Sequence, residues 1–230
     1  MAARQEPEDH HHGCGRRLLV LCVLVLLAGF AAALWFIAQP QDMARIAGYR
    51  GTAPDAGRDL GRVLQHSIEG GYKLALSEDE INRYLQRTLA ARQGGWLGRW
   101  VSLDGAAVRL EQDRAEVVLV RSVAGRPLTV SMFLSIDQTE APDGRVTTYL
   151  NRHGGRYLEQ LPFLHRGGRF GRLVVPQGFL VLVLGSFERL AAAYQHELSL
   201  AFEEMARIRF EPHQLVLDPN PPAPAAIGGF

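Results

Sequence analysis

The amino-acid sequence predicts an α+β fold carried by a single N-terminal transmembrane helix. Three features predict it: a long apolar run near the start, a stretch in which apolar side chains alternate, and flanking stretches with helical periodicity. We expect helices packed on a curved antiparallel β-meander, with one long C-terminal helix and a short final hairpin. The expected divisions are a cytoplasmic tail at 1–17, a transmembrane helix at 18–38, a linker at 39–58, the α+β domain at 59–218 and a disordered proline-rich tail at 219–230.

The apolar run from Leu18 to Ala38 contains no charged residue, amide or proline. As a helix it would be roughly 31 Å long, which matches the hydrocarbon thickness of a bilayer. Arg16 and Arg17 precede it directly, so the positive-inside rule places the N terminus in the cytoplasm and residues 39–230 outside the inner (cytoplasmic) membrane. The alternative is a cleaved signal peptide with a small-residue site at 31–33, although the run exceeds the roughly 7 to 15 residues usual for one.

Composition narrows the possible partners. Basic and acidic residues nearly balance, 25 against 24, so electrostatics do not favour a nucleic-acid partner. The cysteines, Cys14 and Cys22, lie before and within the apolar run, so the exported part has no disulfide and depends on packing. The membrane is therefore the first partner that the sequence predicts.

Two short helices are expected at the start of the domain. The first covers about Asp59 to Ile68, where apolar residues recur at helical spacing before a Gly-Gly pair. The second begins at Ser77, because Ser77 and Glu80 have the spacing of a capping box, in which hydroxyl and carboxylate each satisfy a backbone N–H. Its expected buried stripe is Ile81, Tyr84, Leu85 and Leu89.

The pattern then changes to a period of two, which indicates strands. The clearest strand is 128–136, whose fully apolar face comprises Leu128, Val130, Met132, Leu134 and Ile136. Further strands are expected at Ala107–Glu111, Ala115–Arg121 and Val146–Asn151. The turns between them are short and permit only antiparallel neighbours, so the four strands form a meander.

A long helix is predicted from Pro176 to Met205, where apolar side chains recur close to a 3.6-residue period. About 30 residues make it roughly 45 Å long, whereas four strands span only about 20 Å, so it must follow a curved sheet or extend beyond it. We expect its apolar stripe, with the apolar face of strand 128–136, to line a ligand site or to form the core; the stripe includes Leu184, Phe187, Tyr194 and Leu198.

An alternative division of this region makes Phe179–Leu184 a buried strand and starts the helix at Ser186, which Gly185 allows. The domain then closes with a short hairpin, Ile208–Phe210 and Leu215–Leu217.

Two segments carry a family resemblance: YKLALSEDEINRYLQ at 72–86 and GRLVVPQGFLVLVLGSFERL at 171–190. With the anchor, the meander and the final strand pair, they resemble YpmS-like membrane-anchored domains and, more distantly, the tubular lipid-binding (TULIP) fold. The resemblance covers about residues 60 to 218. In the tubular fold a long helix lies in a strongly curved sheet with acyl chains between them. YpmS-like domains have no established activity, and this chain is too short for two tubular halves, so the resemblance implies an architecture and points to lipid.

No catalytic motif appears in the sequence. It lacks a Gly-x-Ser-x-Gly elbow, a Ser-x-x-Lys pair, a His-Glu-x-x-His zinc motif and a phosphate-binding glycine loop, so we expect neither an enzyme nor a cofactor. His196 and Glu197 lack a second histidine for zinc and are interpreted as a solvated helix face. The run His10–His12 lies in a flexible tail without a fourth ligand, so no metal site is expected.

Residues 152–172 suggest a membrane-contacting patch. Basic residues flanking an apolar loop suit an interface where guanidinium groups meet lipid phosphate. The candidates for this lipid-headgroup interface are Arg156, Arg166, Arg169 and Arg172, with the apolar Phe163 and Leu164. The alternative is an ordinary solvated connection with a small apolar plug.

Two functions remain open at this point. In the first, the domain binds a lipid or other amphiphile between the curved sheet and the long helix, at the membrane surface. In the second, the core is solid and the domain is a membrane-tethered protein-protein interaction or scaffold module of the cell envelope.

Overall fold

The computed structural model describes residues 12–49, 58–92, 103–123, 126–141 and 146–220. It is an α+β structure with an N-terminal apolar helix and antiparallel sheets, which confirms the predicted class. Its elements are α1 (His12–Ala38), a 3₁₀ turn (Met43–Arg45), α2 (Leu60–Gly70), β1 (Leu74–Ser77), α3 (Glu78–Arg92), β2 (Leu103–Glu111), β3 (Arg114–Val123), β4 (Arg126–Glu140), β5 (Val146–Asn151), β6 (Arg156–Leu158), β7 (Leu161–Phe170), β8 (Leu173–Pro176), a 3₁₀ helix (Gln177–Leu182), α4 (Leu184–Ala193), α5 (Gln195–Phe202), β9 (Arg207–Glu211) and β10 (Gln214–Asp218).

Helix α1 contains the segment Gly15–Ala38, which is long and apolar enough to cross a membrane. A signal sequence would meet the same criteria, so length and composition do not decide between an anchor and a leader. Of the proposed tail at 219–230, only the first two residues are described. Residues 1–11 of the proposed cytoplasmic tail also lie outside the described residues.

The larger sheet is built around β4. Strand β3 pairs with one edge of β4, while β7 and β5 share the other edge: β7 pairs at Val130–Met132 and β5 at Ser135–Glu140. Strands β6 and β8 continue this sheet from β7, and β2 pairs with the far edge of β3. A smaller antiparallel sheet has the order β1-β10-β9.

Both faces of the β2-β3-β4 region are covered. The register aligns Val108, Val117 and Met132 on one face, here called the inner face, and the helices and the smaller sheet pack over it. On the opposite, outer face, Ala107 and Val118 are fully buried under Ile46. Residues 39–49, predicted as linker, therefore include a segment packed on the sheet, and 50–57 lie outside the described residues.

A polar stripe on α3 joins this segment to the sheet. The buried Asn82 donates from Nδ2 to the carbonyls of Ala47 and Val108, at 2.8 Å each, and its Oδ1 accepts the Val108 N–H at 2.7 Å. One turn earlier, the buried Glu78 accepts the N–H groups of Ala47 and Leu110 at 3.0 and 2.8 Å. The free edge of β2 is thus covered by side chains of α3.

The C-terminal end of α1 contacts the β7–β8 turn. The Arg172 N–H donates to the Phe36 carbonyl at 3.0 Å, which satisfies one of the carbonyls that a helix end leaves unpaired. Gly171 adopts a positive φ of 55°. A Cβ at Gly171 would lie 2.3 Å from the Ile37 carbonyl oxygen, so only glycine permits this close approach.

The first two predicted helices are confirmed with small changes of boundary. Asp59 caps α2 by accepting the Gly61 N–H at 3.1 Å, and Gly71 ends the helix with a left-handed φ of 62°. The capping box of α3 is present: Ser77 Oγ accepts the Glu80 N–H, and the Glu80 carboxylate accepts the Ser77 N–H. Although burial raises the pKa of Glu80, the hydrogen bond from the Ser77 backbone and the ion pair with Arg58 lower it overall.

No strand was expected in residues 152–176, in which the structure shows paired strands. These are β6, β7 and β8. Glycine is required for strand pairing here, since a Cβ at Gly168 would lie 1.8 Å from the Ser131 carbonyl oxygen. The close approach of β7 to β4 therefore depends on glycine.

The single long C-terminal helix is also a wrong prediction, as is the alternative strand at Phe179–Leu184. The chain forms a 3₁₀ helix, α4 and α5, with non-helical backbone at Val183 (φ −124°, ψ −4°) and Tyr194 (φ −118°, ψ 26°). Tyr194 is buried, and its hydroxyl lies 2.8 Å from Thr88 Oγ1 on α3. This attachment holds the break at Tyr194, so the two helices can follow the sheet where a straight helix could not.

We predict that Asn82→Ala destabilises the domain by about 2 kcal/mol, because the fully buried Asn82 amide is lost and three backbone groups of Ala47 and Val108 lose their partner. Urea unfolding of the full-length chain in detergent measures this. Asn151→Ala is the matched control, since Asn151 donates to Asp137 at an exposed position and should change stability by less than about 0.5 kcal/mol. Equal effects of the two substitutions would contradict the role given to Asn82.

Candidate functional site

A cavity of about 330 Å³ lies between the inner face of the sheet and the helices. Its floor is formed by β2, β3 and β4 through residues such as Val108, Val117 and Met132, and helices α4 and α5 lie opposite. Helices α2 and α3 close one side with Leu64 and Leu85. The helical segment that covers the cavity is interrupted at Val183 and at Tyr194.

The mouth of the cavity is marked by lining residues that remain exposed. These are Leu150 at the end of β5, Arg152 just after it, Glu188 and Ala191 of α4, and Leu198 of α5. The cavity therefore opens between the end of β5 and the α4–α5 pair. Arg152 and Glu188 place charged groups at the mouth, whereas the interior is largely apolar.

The size and chemistry of the cavity favour an apolar occupant. The walls of the cavity are almost entirely apolar, and an apolar ligand would remove this surface from water at a gain of about 25 cal/mol per Å². Water molecules are poorly stabilised in an apolar cavity because they find few hydrogen-bond partners there. The volume falls at the lower end of the range of about 300 to 1,000 Å³ for small-molecule sites.

Glu197 is the acidic group buried in the described wall. Tyr84 of α3 donates its hydroxyl to the Glu197 carboxylate on α5, and the two rings of Tyr84 and Tyr194 lie 6.2 Å apart. The expectation that Glu197 belongs to a solvated helix face is therefore wrong, although His196 beside it is exposed. Glu197 follows the buried Tyr194 by three residues, so the two side chains share the buried face of α5.

The predicted apolar residues fall into two groups in the structure. Those that line the cavity are Met132, Leu134, Leu184, Phe187, Tyr194 and Leu198. Val130 and Ile136 pack against the core beside it. Leu128 is half-buried and pairs with Arg121 near the end of β3. The apolar strand face and the helical stripe thus meet across one cavity.

The predicted basic patch is not assembled in one place. Arg169 lies on the outer face, 3.4 Å from the buried carboxylate of Glu116 and over the ring of Phe133. Arg172 lies at the contact with α1, and Arg166 is exposed on β7.

Arg156, Phe163 and Leu164 belong to the β6–β7 hairpin. Phe163, which is 76% exposed, lies seven residues before Phe170 at the other end of β7, or about 23 Å along the strand. The hairpin and Arg172 therefore occupy opposite ends of β7.

Sequence reasoning missed the walls contributed by β2, β3, α2 and α3, and the charged mouth. Residues 152–172 were interpreted as one basic patch, so Arg152 was not recognised as part of the cavity mouth. Glu188 was not recognised as part of the mouth either. The capping box located α3, but no sequence signal places Tyr84 beside Glu197, which is 113 residues away. Contacts of this kind depend on the tertiary arrangement alone.

Comparisons of the chain with known protein families, with characterised proteins and with solved structures found no match. The resemblance to YpmS-like and tubular lipid-binding domains therefore stays a prediction. The site is interpreted from its own geometry.

We predict a coupling of about 2 kcal/mol between Tyr84 and Glu197, because a hydrogen bond to a buried charged group contributes about 1.5 to 3 kcal/mol. The double-mutant cycle uses Tyr84→Phe, Glu197→Gln and the double variant, with stability measured by urea unfolding. Additive effects would show that the two side chains are not coupled.

Proposed function

We propose that the protein is a single-pass, membrane-anchored extracytoplasmic domain, without enzymatic activity, that binds the apolar chain of a lipid or other amphiphile in the cavity between the sheet and α4–α5. The observation that carries the proposal is a cavity of about 330 Å³ that is lined by apolar side chains and open at one mouth. A core made only for stability would be filled by side chains to a density at which few voids exceed one water molecule.

The distribution of polarity supports an amphiphile over a purely apolar ligand. The interior is formed by side chains such as Phe187 and Leu134, while Arg152 and Glu188 flank the mouth. An apolar tail inside with a polar group at the rim would satisfy both regions without burying an unpaired charge.

Helix α1 supports the location. Its apolar segment is long enough to span a bilayer, and Arg16 and Arg17 at its start favour a cytoplasmic N terminus in the inner membrane. The domain would then face the outer leaflet of that membrane, where amphiphiles are within reach.

The alternative is a membrane-tethered interaction or scaffold module of the cell envelope. It would need an apolar surface for a protein partner and no ligand inside. The labelling experiment below separates the two functions.

Labelling by a photoactivatable fatty acid tests the proposal on the full-length protein in its membrane. Crosslinks should map to peptides around Met132 and Ala201, which lie in the cavity wall, as well as to α1. Labelling of α1 acts as an internal standard for the amount of probe in the bilayer.

We predict that Ala191→Trp lowers labelling of the cavity peptides about tenfold, because the indole occludes the mouth and costs the ligand about 1.4 kcal/mol. Ala192→Trp is the matched control, since Ala192 is the next residue of α4, equally exposed and not part of the cavity wall. Cavity labelling that is equal in the two variants, or labelling confined to α1, would favour the interaction module.

A further inference from the structure

An exposed apolar segment leads from the middle of β7, where Gln177 packs on Gly167, to the start of α4, where Ser186 is bonded to Arg121. In the 3₁₀ helix between β8 and α4, Phe179, Val181 and Leu182 are 54%, 72% and 71% exposed. Leu180 between them is buried, so the segment is fixed to the domain and presents its other side chains outward. Three large apolar side chains in four residues form a patch that a solvated surface does not explain.

Hydrogen bonds connect the C-terminal end of this segment, where α4 begins, to the end of the sheet that α1 contacts. Thr129 on β4 marks this end of the sheet, since its Oγ1 accepts the Gln41 N–H at 2.8 Å and its carbonyl accepts the Gly171 N–H at 2.7 Å. The next residue pair along the β3–β4 ladder joins Arg121 to Leu128, and the Arg121 guanidinium donates to Ser186 Oγ at the start of α4. Leu182 lies only four residues before Ser186.

Exposed arginines surround the same end of the sheet. Arg172 is bonded through its backbone to the end of α1, Arg126 begins β4 beyond Thr129, and Arg189 lies one turn into α4. Burial and the nearby charge of Arg189 lower the pKa of Arg121, which indicates that Arg189 lies close to this guanidinium. Guanidinium groups around an apolar patch fit the phosphates and acyl chains at a bilayer surface.

We propose that Phe179, Val181 and Leu182 form a second membrane contact, which inserts into the leaflet from which α1 emerges and is flanked by Arg126, Arg172 and Arg189. The occupant of this surface is the bilayer itself. The contact requires α1 to be a membrane anchor, but it does not depend on any ligand in the cavity. It would hold the domain in a fixed orientation, with the start of α4 at the lipid surface.

Spin labels test this contact in the full-length chain, reconstituted into vesicles of phosphatidylethanolamine and phosphatidylglycerol with Cys14 and Cys22 changed to Ser. Single cysteines are placed by Val181→Cys, by Phe163→Cys and, in α1, by Leu27→Cys. Collisions with dissolved oxygen and with an aqueous nickel complex are measured at each label. Phe163 is the matched control, because it is an equally exposed apolar residue at the far end of β7.

The label at Val181 should lose its collisions with nickel and keep those with oxygen, as the label at Leu27 does, while the label at Phe163 stays accessible to nickel. Changing Arg126, Arg172 and Arg189 to Gln should restore part of the nickel collisions at Val181. Full nickel access at Val181, or immersion at Phe163 as deep as at Val181, would overturn the proposal. The label at Leu27 shows whether α1 itself is in the bilayer. Binding in the cavity is measured by photolabelling, so a failure of the proposed function can be distinguished from a failure of this contact.

Discussion

The structure depends on the way α3 covers the free edge of β2. Glu78, Asn82 and Gln86 follow at intervals of four residues and so share one face of the helix. Glu78 and Asn82 satisfy the backbone of Leu110 and Val108 on β2, and all three side chains bond the segment at Ala47 and Gly48. An uncovered edge strand would leave these backbone groups open to pairing with another chain. One polar stripe therefore fixes the positions of α3, the sheet and the segment that leads to α1.

This arrangement explains why the inner face of the sheet carries a cavity. With α3 held at the edge of β2 by polar contacts, the helices that follow β8 must reach across the sheet to meet it. They do so at Tyr194, whose hydroxyl bonds Thr88 on α3 and whose backbone leaves the helical region. Side chains of α4 and α5 and those of Met132 and Leu134 on the sheet line the cavity that remains between them.

The larger sheet also connects α1 to the rest of the domain. Arg172 bonds the end of α1 to the β7–β8 turn, Thr129 bonds Gln41 just after α1 to β4, and Arg121 ties this end of the sheet to α4. The cavity and the apolar 3₁₀ segment are thus attached to the anchor through hydrogen-bonded strands and not through a free linker. A domain fixed in this way keeps one orientation relative to α1, which the two proposals use in different ways.

The sequence by itself determined the features that depend on neighbouring residues. The apolar length of α1, the capping box of α3, the alternation in β4 and the antiparallel turns are local patterns, and each sets a local structure. The tertiary structure alone decided the features that depend on distant residues: the burial of Glu197 against Tyr84, the pairing of a glycine-rich β7 with β4, and the break at Tyr194. These contacts join residues between about 40 and 110 positions apart, and their free energy arises only when the chain has already brought the two sides together.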